Sequence, residues 1–222
     1  GFTEDTGIDL PAETMPVAGV NYHTLDTMGI VELSSSSFGQ SFQVTPIQMI
    51  TAISAIANGG KLMTPYVVAK ELDENGNVVR ETEPNIRRQV ISKQTANIVA
   101  GMMEQVVTSG TGKNAYVAGY RVAGKTGTSQ KLNNVGHYVA SFGCFAPADD
   151  PEIAVLINGD DPVGQRNGGQ LSVCAESKIA YDRRTRGHGI GRRSAAVGIL
   201  HKGLAVRGVE HAADSFICGV AA

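Results

Sequence analysis

The chain is short of most features that would classify it at a glance. Tryptophan is absent, and the three cysteines among 222 residues, Cys144, Cys174 and Cys218, are widely spaced and odd in number. They form neither a disulfide framework nor a zinc-ligand spacing. Cys144 lies in an apolar run and reads as a small buried hydrophobe. No apolar stretch approaches the roughly 20 residues that a membrane-spanning helix needs, and no signal peptide opens the chain. The motifs G-x-S-x-G and H-E-x-x-H are missing, so neither a hydrolase nucleophile elbow nor a zinc-protease helix is present. The chain begins at Gly1 rather than Met, and its first residues look mid-domain. It reads as a fragment whose missing targeting segments say nothing about the parent protein.

What is present is unevenly distributed. Residues 1–165 carry 10 Lys and Arg against 17 Asp and Glu, whereas residues 166–222 carry 9 against 4 and three of the five His. Such a break suggests two regions of different origin or role. In the first, residues 1–45 are rich in Gly, Ser and Thr and read as loops with short elements, with Ser34 to Ser37 a surface loop. A helix is expected from Thr45-Pro46-Ile47-Gln48, where Thr45 caps, Pro46 suits the first helical position and Gln48 completes a capping box. Ile47, Ile50, Ile53 and Ala57 form its apolar stripe with Ser54 alongside, and Gly59-Gly60 ends it. Tyr66-Val67-Val68 is β-prone, Asp73 to Asn77 holds an Asn-Gly hairpin signal and Val78-Val79 resumes the strand. Arg87 and Arg88 read as solvated strand-edge charges. A second helix runs from about Lys93 to Val107, capped by Ser92, with Ile98, Val99, Met102, Met103 and Val106 on its apolar face. Gly110-Thr111-Gly112 ends it. Three β-like runs follow, Tyr120 to Ser129, Tyr138 to Phe145 and Ile153 to Asn158, as in an antiparallel meander.

The segment from Gly119 to Thr128 carries the chemistry and reads two ways. Gly119 to Thr126 fits G-x-x-x-x-G-K-[ST], the phosphate-cradling P-loop. That loop needs small residues and a following helix N-terminus, whereas Tyr120, Arg121 and Val122 are bulky and Gly127-Thr128-Ser129 starts a helix poorly. Lys125-Thr126-Gly127 is also the K-T-G triplet of penicillin-binding proteins and serine β-lactamases. On a strand, Lys125 and Gly127 face one way and Thr126 and Thr128 the other. A glycine on an edge-like strand marks close approach by another backbone or a ligand, and such a strand can pair with an extended peptide while one of its amides points into an oxyanion hole.

An ordered set of motifs then resembles the class B penicillin-binding proteins. Gly7-Ile8-Asp9-Leu10-Pro11 with Glu13, Phe38-Gly39-Gln40-Ser41-Phe42-Gln43-Val44-Thr45-Pro46-Ile47-Gln48-Met49, Ala57-Asn58-Gly59-Gly60-Lys61, Gly110-Thr111-Gly112-Lys113-Asn114-Ala115, Val122 to Thr128 and Phe142-Gly143-Cys144-Phe145-Ala146-Pro147 occur in the family's order. The resemblance covers about residues 1–165 and is nearest to the division and sporulation transpeptidases. It implies an α+β fold, an antiparallel sheet with packed helices. It implies acyl transfer on the D-Ala-D-Ala end of a peptidoglycan stem peptide, which β-lactams mimic, and no metal or organic cofactor. Lys125 would bring positive charge to the serine's proton network. Thr126 and Thr128 would hold the substrate carboxylate, Gly127 would admit the peptide, and the Thr128 amide would form half of the oxyanion hole. The parent protein would be anchored outside the cytoplasmic membrane, within a cell-wall synthesis complex.

Two departures qualify the resemblance. No Ser stands three residues before a Lys, and none stands two before an Asn, so the family's S-x-x-K nucleophile and S-x-N motif are both missing. Beyond Gly168-Gly169-Gln170-Leu171 the family pattern is lost. The loss of periodicity, the charge reversal and the extra Arg, His and Cys suggest a shifted reading frame from about Ser172. A basic appendage for nucleic acid or a membrane surface is the weaker reading, since the Arg are scattered and Tyr181 and Phe216 are the segment's only aromatics.

Overall fold

The computed structural model describes residues 1–131 and 136–161, Gly169, and the backbone of residues 196–199. The charge-reversed region, including the boundary near Ser172, otherwise lies outside the described residues. Helices α1 (Ile30–Ser36), α2 (Pro46–Ala57) and α3 (Lys93–Thr108) and strands β1 (Lys61–Met63), β2 (Lys70–Leu72), β3 (Val78–Glu81), β4 (Ile86–Gln89), β5 (Ala123–Gln130), β6 (Tyr138–Ala146), β7 (Ile153–Asp160) and β8 (Ala196–Ile199) follow in chain order. The main sheet is antiparallel throughout, in the order β5-β6-β7-β8, and β1-β4 and β2-β3 form two small ribbons. The meander β5-β6-β7 is the one expected from the sequence. Strand β8 arises where no period is legible, since Ala-Val-Gly-Ile is too short to show one.

Helix α2 forms for the reasons its sequence suggests. Thr45 Oγ1 accepts from the Gln48 amide at 3.3 Å, and Gln48 Oε1 accepts from the Thr45 amide at 2.9 Å. Ile47, Ile50, Ile53 and Ser54 are buried. Gly59 and Gly60 take φ of 77° and 92°, and the Gly60 amide donates to Ala55 O at 2.7 Å, ending the helix in the region where glycine alone is unstrained. In α3 the Ser92 cap is present, but the buried face is rotated from the expected stripe. Ala96, Met103 and Val107 are buried, whereas Ile98 and Met102 are more than half exposed. The expected stripe misled because an apolar residue on a helix flank satisfies the same spacing.

Several other expectations need correction. Ser34 to Ser37 is no loop: Ser34 to Ser36 complete α1 and Ser37 caps it. The hydroxyls of Ser34, Ser35 and Ser37 donate back to carbonyls three or four residues earlier, which lets serines close a helix. Tyr66 to Val68 form no strand, because the Val67 and Val68 amides donate to the Asp9 carboxylate at 2.6 and 2.9 Å instead of to a ladder. The hairpin moves to β2-β3, closed by Asp73, whose carboxylate accepts from the Asn75 and Asn77 amides and from the Asn77 side chain. Those bonds, the Asn77 side chain foremost, hold the Asp73 carboxyl below its usual range. Arg87 and Arg88 are not idle edge charges. Both pair with Glu4, at 3.2 and 2.6 Å, and Arg87 also donates to Asp5 O, so they tie the N-terminal segment to β4.

Both faces of the main sheet are covered near its middle. One carries Ala123, Phe145, Ala154 and Leu156 against Ile47, Ile50 and Ile53 of α2 and Met103 of α3. The other carries Ala140, Phe142, Cys144, Val155 and Ile157 against Val107, Ala115, Val117 and Val122. Cys144 is the small buried hydrophobe expected, and burial pushes its thiol up to about 12. The entry to β5 is clamped from outside the core. Arg121 grips Glu104 of α3 through two bonds, at 2.7 and 2.8 Å, and reaches Asp149 at 3.0 Å. The Arg121 carbonyl also accepts from the Ala148 amide at 2.8 Å.

Two outcomes follow for stability. Phe142→Ala empties the space of a fully buried ring and should cost about 3–5 kcal/mol in denaturant unfolding. Arg121, donating to Glu104, lowers the Glu104 pKa in the folded state. The native state then binds fewer protons than the unfolded chain. The pair's contribution is therefore complete above the ordinary glutamate value of about 4.3 and lost as pH falls through the folded value. Thermal unfolding of Glu104→Gln should differ from wild type at pH 7, and the difference should shrink toward pH 3.

Candidate active site

Strand β5 is the outermost strand of the main sheet among the described residues, with β6 on its inner side only. Its first two residues, Ala123 and Gly124, are buried, Lys125 is exposed, Thr126 and Gly127 are half-buried, and Thr128 to Gln130 are exposed. The strand is therefore rooted in the core at one end and offers the four candidate residues at the other. A Cβ on Gly124 would lie 2.5 Å from Phe142 Cζ and 3.0 Å from Cys144 Cβ. The residue before Lys125 is thus glycine because the core leaves no room for more.

The structure brings the four residues together on one strand, with Lys125 and Gly127 paired to Gly143 and Ser141, and Thr126 and Thr128 paired to Phe142 and Ala140. The alternation expected of a strand places Lys125 and Gly127 on the α2 face and the two threonines on the other. Lys125 is exposed, and its Nζ donates to the Thr126 carbonyl at 2.6 Å. A side chain on Gly127 would collide with Ser141 Oγ. The close approach at this glycine therefore involves the side chain of Ser141, where the sequence pointed to another backbone or a ligand.

The P-loop reading of Gly119 to Thr126 is overturned by the same geometry. Lys125 and Thr126 lie within β5, which runs on to Gln130. No helix N-terminus follows Lys125-Thr126, so the dipole and converging amides of a phosphate cradle are missing there. Among the described residues, no three or more His, Cys, Asp or Glu converge as metal ligands would.

The turn after α3 supplies a residue that the sequence showed only within a motif and gave no role at the site. Thr111 Oγ1 lies 2.9 Å from Thr126 Oγ1. Its neighbours Gly110 and Gly112 marked a helix end in the sequence, and nothing in the spacing pointed to a hydroxyl reaching β5. Farther along the same turn, Asn114 Nδ2 donates to Gly169 O at 3.0 Å. At the outer end of the β5-β6 hairpin, Lys131 pairs with Asp160 and His137 Nδ1 with Asp161, both at 2.6 Å.

With that geometry in hand, comparison with known proteins is informative. Residues 1–179 match the model of the penicillin binding protein transpeptidase domain, a reach beyond residue 165, where the resemblance was expected to end. Stage V sporulation protein D of Bacillus subtilis is 43% identical over 188 residues, covering 82% of this chain and 28% of that protein. Penicillin binding protein 3 of Mycobacterium tuberculosis, solved in complex with aztreonam, superposes with a TM-score of 0.71 at 27% identity, over 83% of this chain and 44% of that one. Penicillin-binding protein A of the same organism, solved as an imipenem acyl-enzyme, gives a TM-score of 0.58 at 26% identity, over 67% and 34% of the two chains. The chain thus spans less than half the length of each of these relatives. The sheet and packed helices are the expected α+β arrangement, and the chain belongs to the penicillin-binding protein transpeptidase domain family.

Proposed function

We propose that the chain supplies one wall of the active site of a serine-type peptidoglycan D,D-transpeptidase. The observation that carries this reading is Lys125-Thr126-Gly127-Thr128 on the edge strand of a sheet packed on both faces, within a chain of this family. The substrate is the D-Ala-D-Ala end of a stem peptide, lying along β5 as an added strand. The nucleophilic serine comes from an S-x-x-K segment outside these 222 residues. Its oxygen attacks the penultimate D-Ala carbonyl, the peptide bond breaks, and D-Ala leaves with a proton on its nitrogen. An amine of a second stem peptide then takes the acyl group and returns the serine. Lys125 favours the ionic forms of that proton network by its charge. Thr126 and Thr128 hold the carboxylate through their hydroxyls, Gly127 keeps the strand slim, and the Thr128 amide faces the developing oxyanion. β-Lactams enter the same cleft and acylate the same serine.

Among the described residues no helix is long and apolar enough to cross a membrane. In this reading, the anchor that holds the full-length protein on the outer face of the cytoplasmic membrane, within a cell-wall synthesis complex, lies outside the chain. Labelling with fluorescent penicillin, followed by a denaturing gel, tests the proposal. The full-length protein carrying this segment should give a covalent band, and the 222-residue chain alone should give none. Lys125→Ala in the full-length protein should slow acylation by about 10²–10⁴-fold, the usual worth of a proton-transfer group. A labelled band from the chain alone, or acylation untouched by Lys125→Ala, overturns the assignment.

A further inference from the structure

We infer that Thr111 is a positioning residue for substrate-carboxylate recognition, acting through Thr126; this rests on the transpeptidase reading above. The two hydroxyl oxygens lie 2.9 Å apart. Each hydroxyl has one proton to donate and two lone pairs, so in the unliganded pair either one donates. A carboxylate only accepts. Once it takes the Thr126 proton, the shared bond has a single possible direction, with Thr111 donating to Thr126 and Thr126 donating to the ligand. Each bond in such a relay polarises the next. Thr111 also pins the Thr126 side chain in one rotamer, leaving less freedom to lose when ligand binds.

The turn is built to deliver this hydroxyl. A Cβ on Gly110 would lie 2.9 Å from both Cα and O of Val106. A Cβ on Gly112 would lie 3.1 Å from Phe142 Cε2 and 3.2 Å from Val106 Cγ1. Both glycines are therefore pressed onto the end of α3, and the second also onto the ring that pairs with Thr126 across the sheet. The amides of Gly110 and Gly112 both donate to Val106 O, at 3.1 and 3.0 Å, and Gly112 O accepts from the Ala115 amide at 2.8 Å. Of the three residues, only Thr111 carries a side chain, and it meets β5 at Thr126.

The test compares acylation of the full-length protein by a penicillin with acylation by the methyl ester of that penicillin. Thr111→Val keeps the branched shape and removes the hydroxyl. It should slow acylation by the free acid about fivefold to tenfold, the net worth of one hydrogen bond, and slow the ester, whose neutral carbonyl accepts more weakly, by clearly less. Thr111→Ser should restore the wild-type ratio of acid to ester. Equal losses with both ligands, or no loss with either, overturn the inference. Should the valine variant fail to fold, Thr111→Ala takes its place with the same criteria. Lys125→Ala is run in parallel. If it slows acylation and Thr111→Val leaves the ratio unchanged, only the role of Thr111 falls. If Lys125→Ala has no effect, the transpeptidase assignment itself falls.

Discussion

The ring of Phe142 is the constraint on which this molecule's candidate site depends. It is fully buried on β6, directly across from Thr126. It leaves no room for a Cβ on Gly124 and little for one on Gly112. One side chain therefore sets how closely β5 lies against β6 and how closely the turn after α3 lies against both. Close-packed interiors transmit such demands without slack. Lys125 follows one of the two glycines and Thr111 precedes the other, so the two candidate side chains are placed by the same ring from opposite directions.

The clamp at Arg121 complements that packing from the surface. Its bidentate grip on Glu104 fastens α3 to the segment entering β5. Exposed ion pairs contribute little to stability as a rule, but a planar two-bond geometry fixes orientation. The distance from Arg121 to Thr126 is five residues of chain, the first of them held by charge and the next three by burial of Val122, Ala123 and Gly124. Beyond that point Lys125 and Thr128 to Gln130 are exposed, and Thr126 and Gly127 are half-buried.

What the sequence made legible was local and periodic. The capping box of α2, the Ser92 cap of α3 and the three strands of the meander were readable, because each is specified by residues within one element. Two of the errors have their origin in long-range partners. Asp9 draws the Val67 and Val68 amides away from a ladder across 58 and 59 residues, and Glu4 occupies Arg87 and Arg88 from the far end of the chain. Neither pairing leaves a trace in local spacing. The candidate site divides along the same line. Lys125 to Thr128 is contiguous and was found, whereas Thr111 and Ser141 reach it only through the fold.

An edge strand resolves an apparent difficulty in the proposed site. Lys125 and the two threonines face opposite sides of the sheet, yet all three are assigned to one ligand. On a central strand, neighbours on both sides would separate those side chains by a full sheet thickness of backbone and packing. On β5 the outer side has no neighbour among the described residues. A peptide lying along that side, as proposed, would sit between the two faces, within reach of a long flexible lysine from one and of short hydroxyls from the other. The lysine's contact with the Thr126 carbonyl shows its side chain bent back along its own strand rather than extended away from it. On the proposed reading, position at the edge, more than the identity of the three letters, is what would let K-T-G act as a single binding surface.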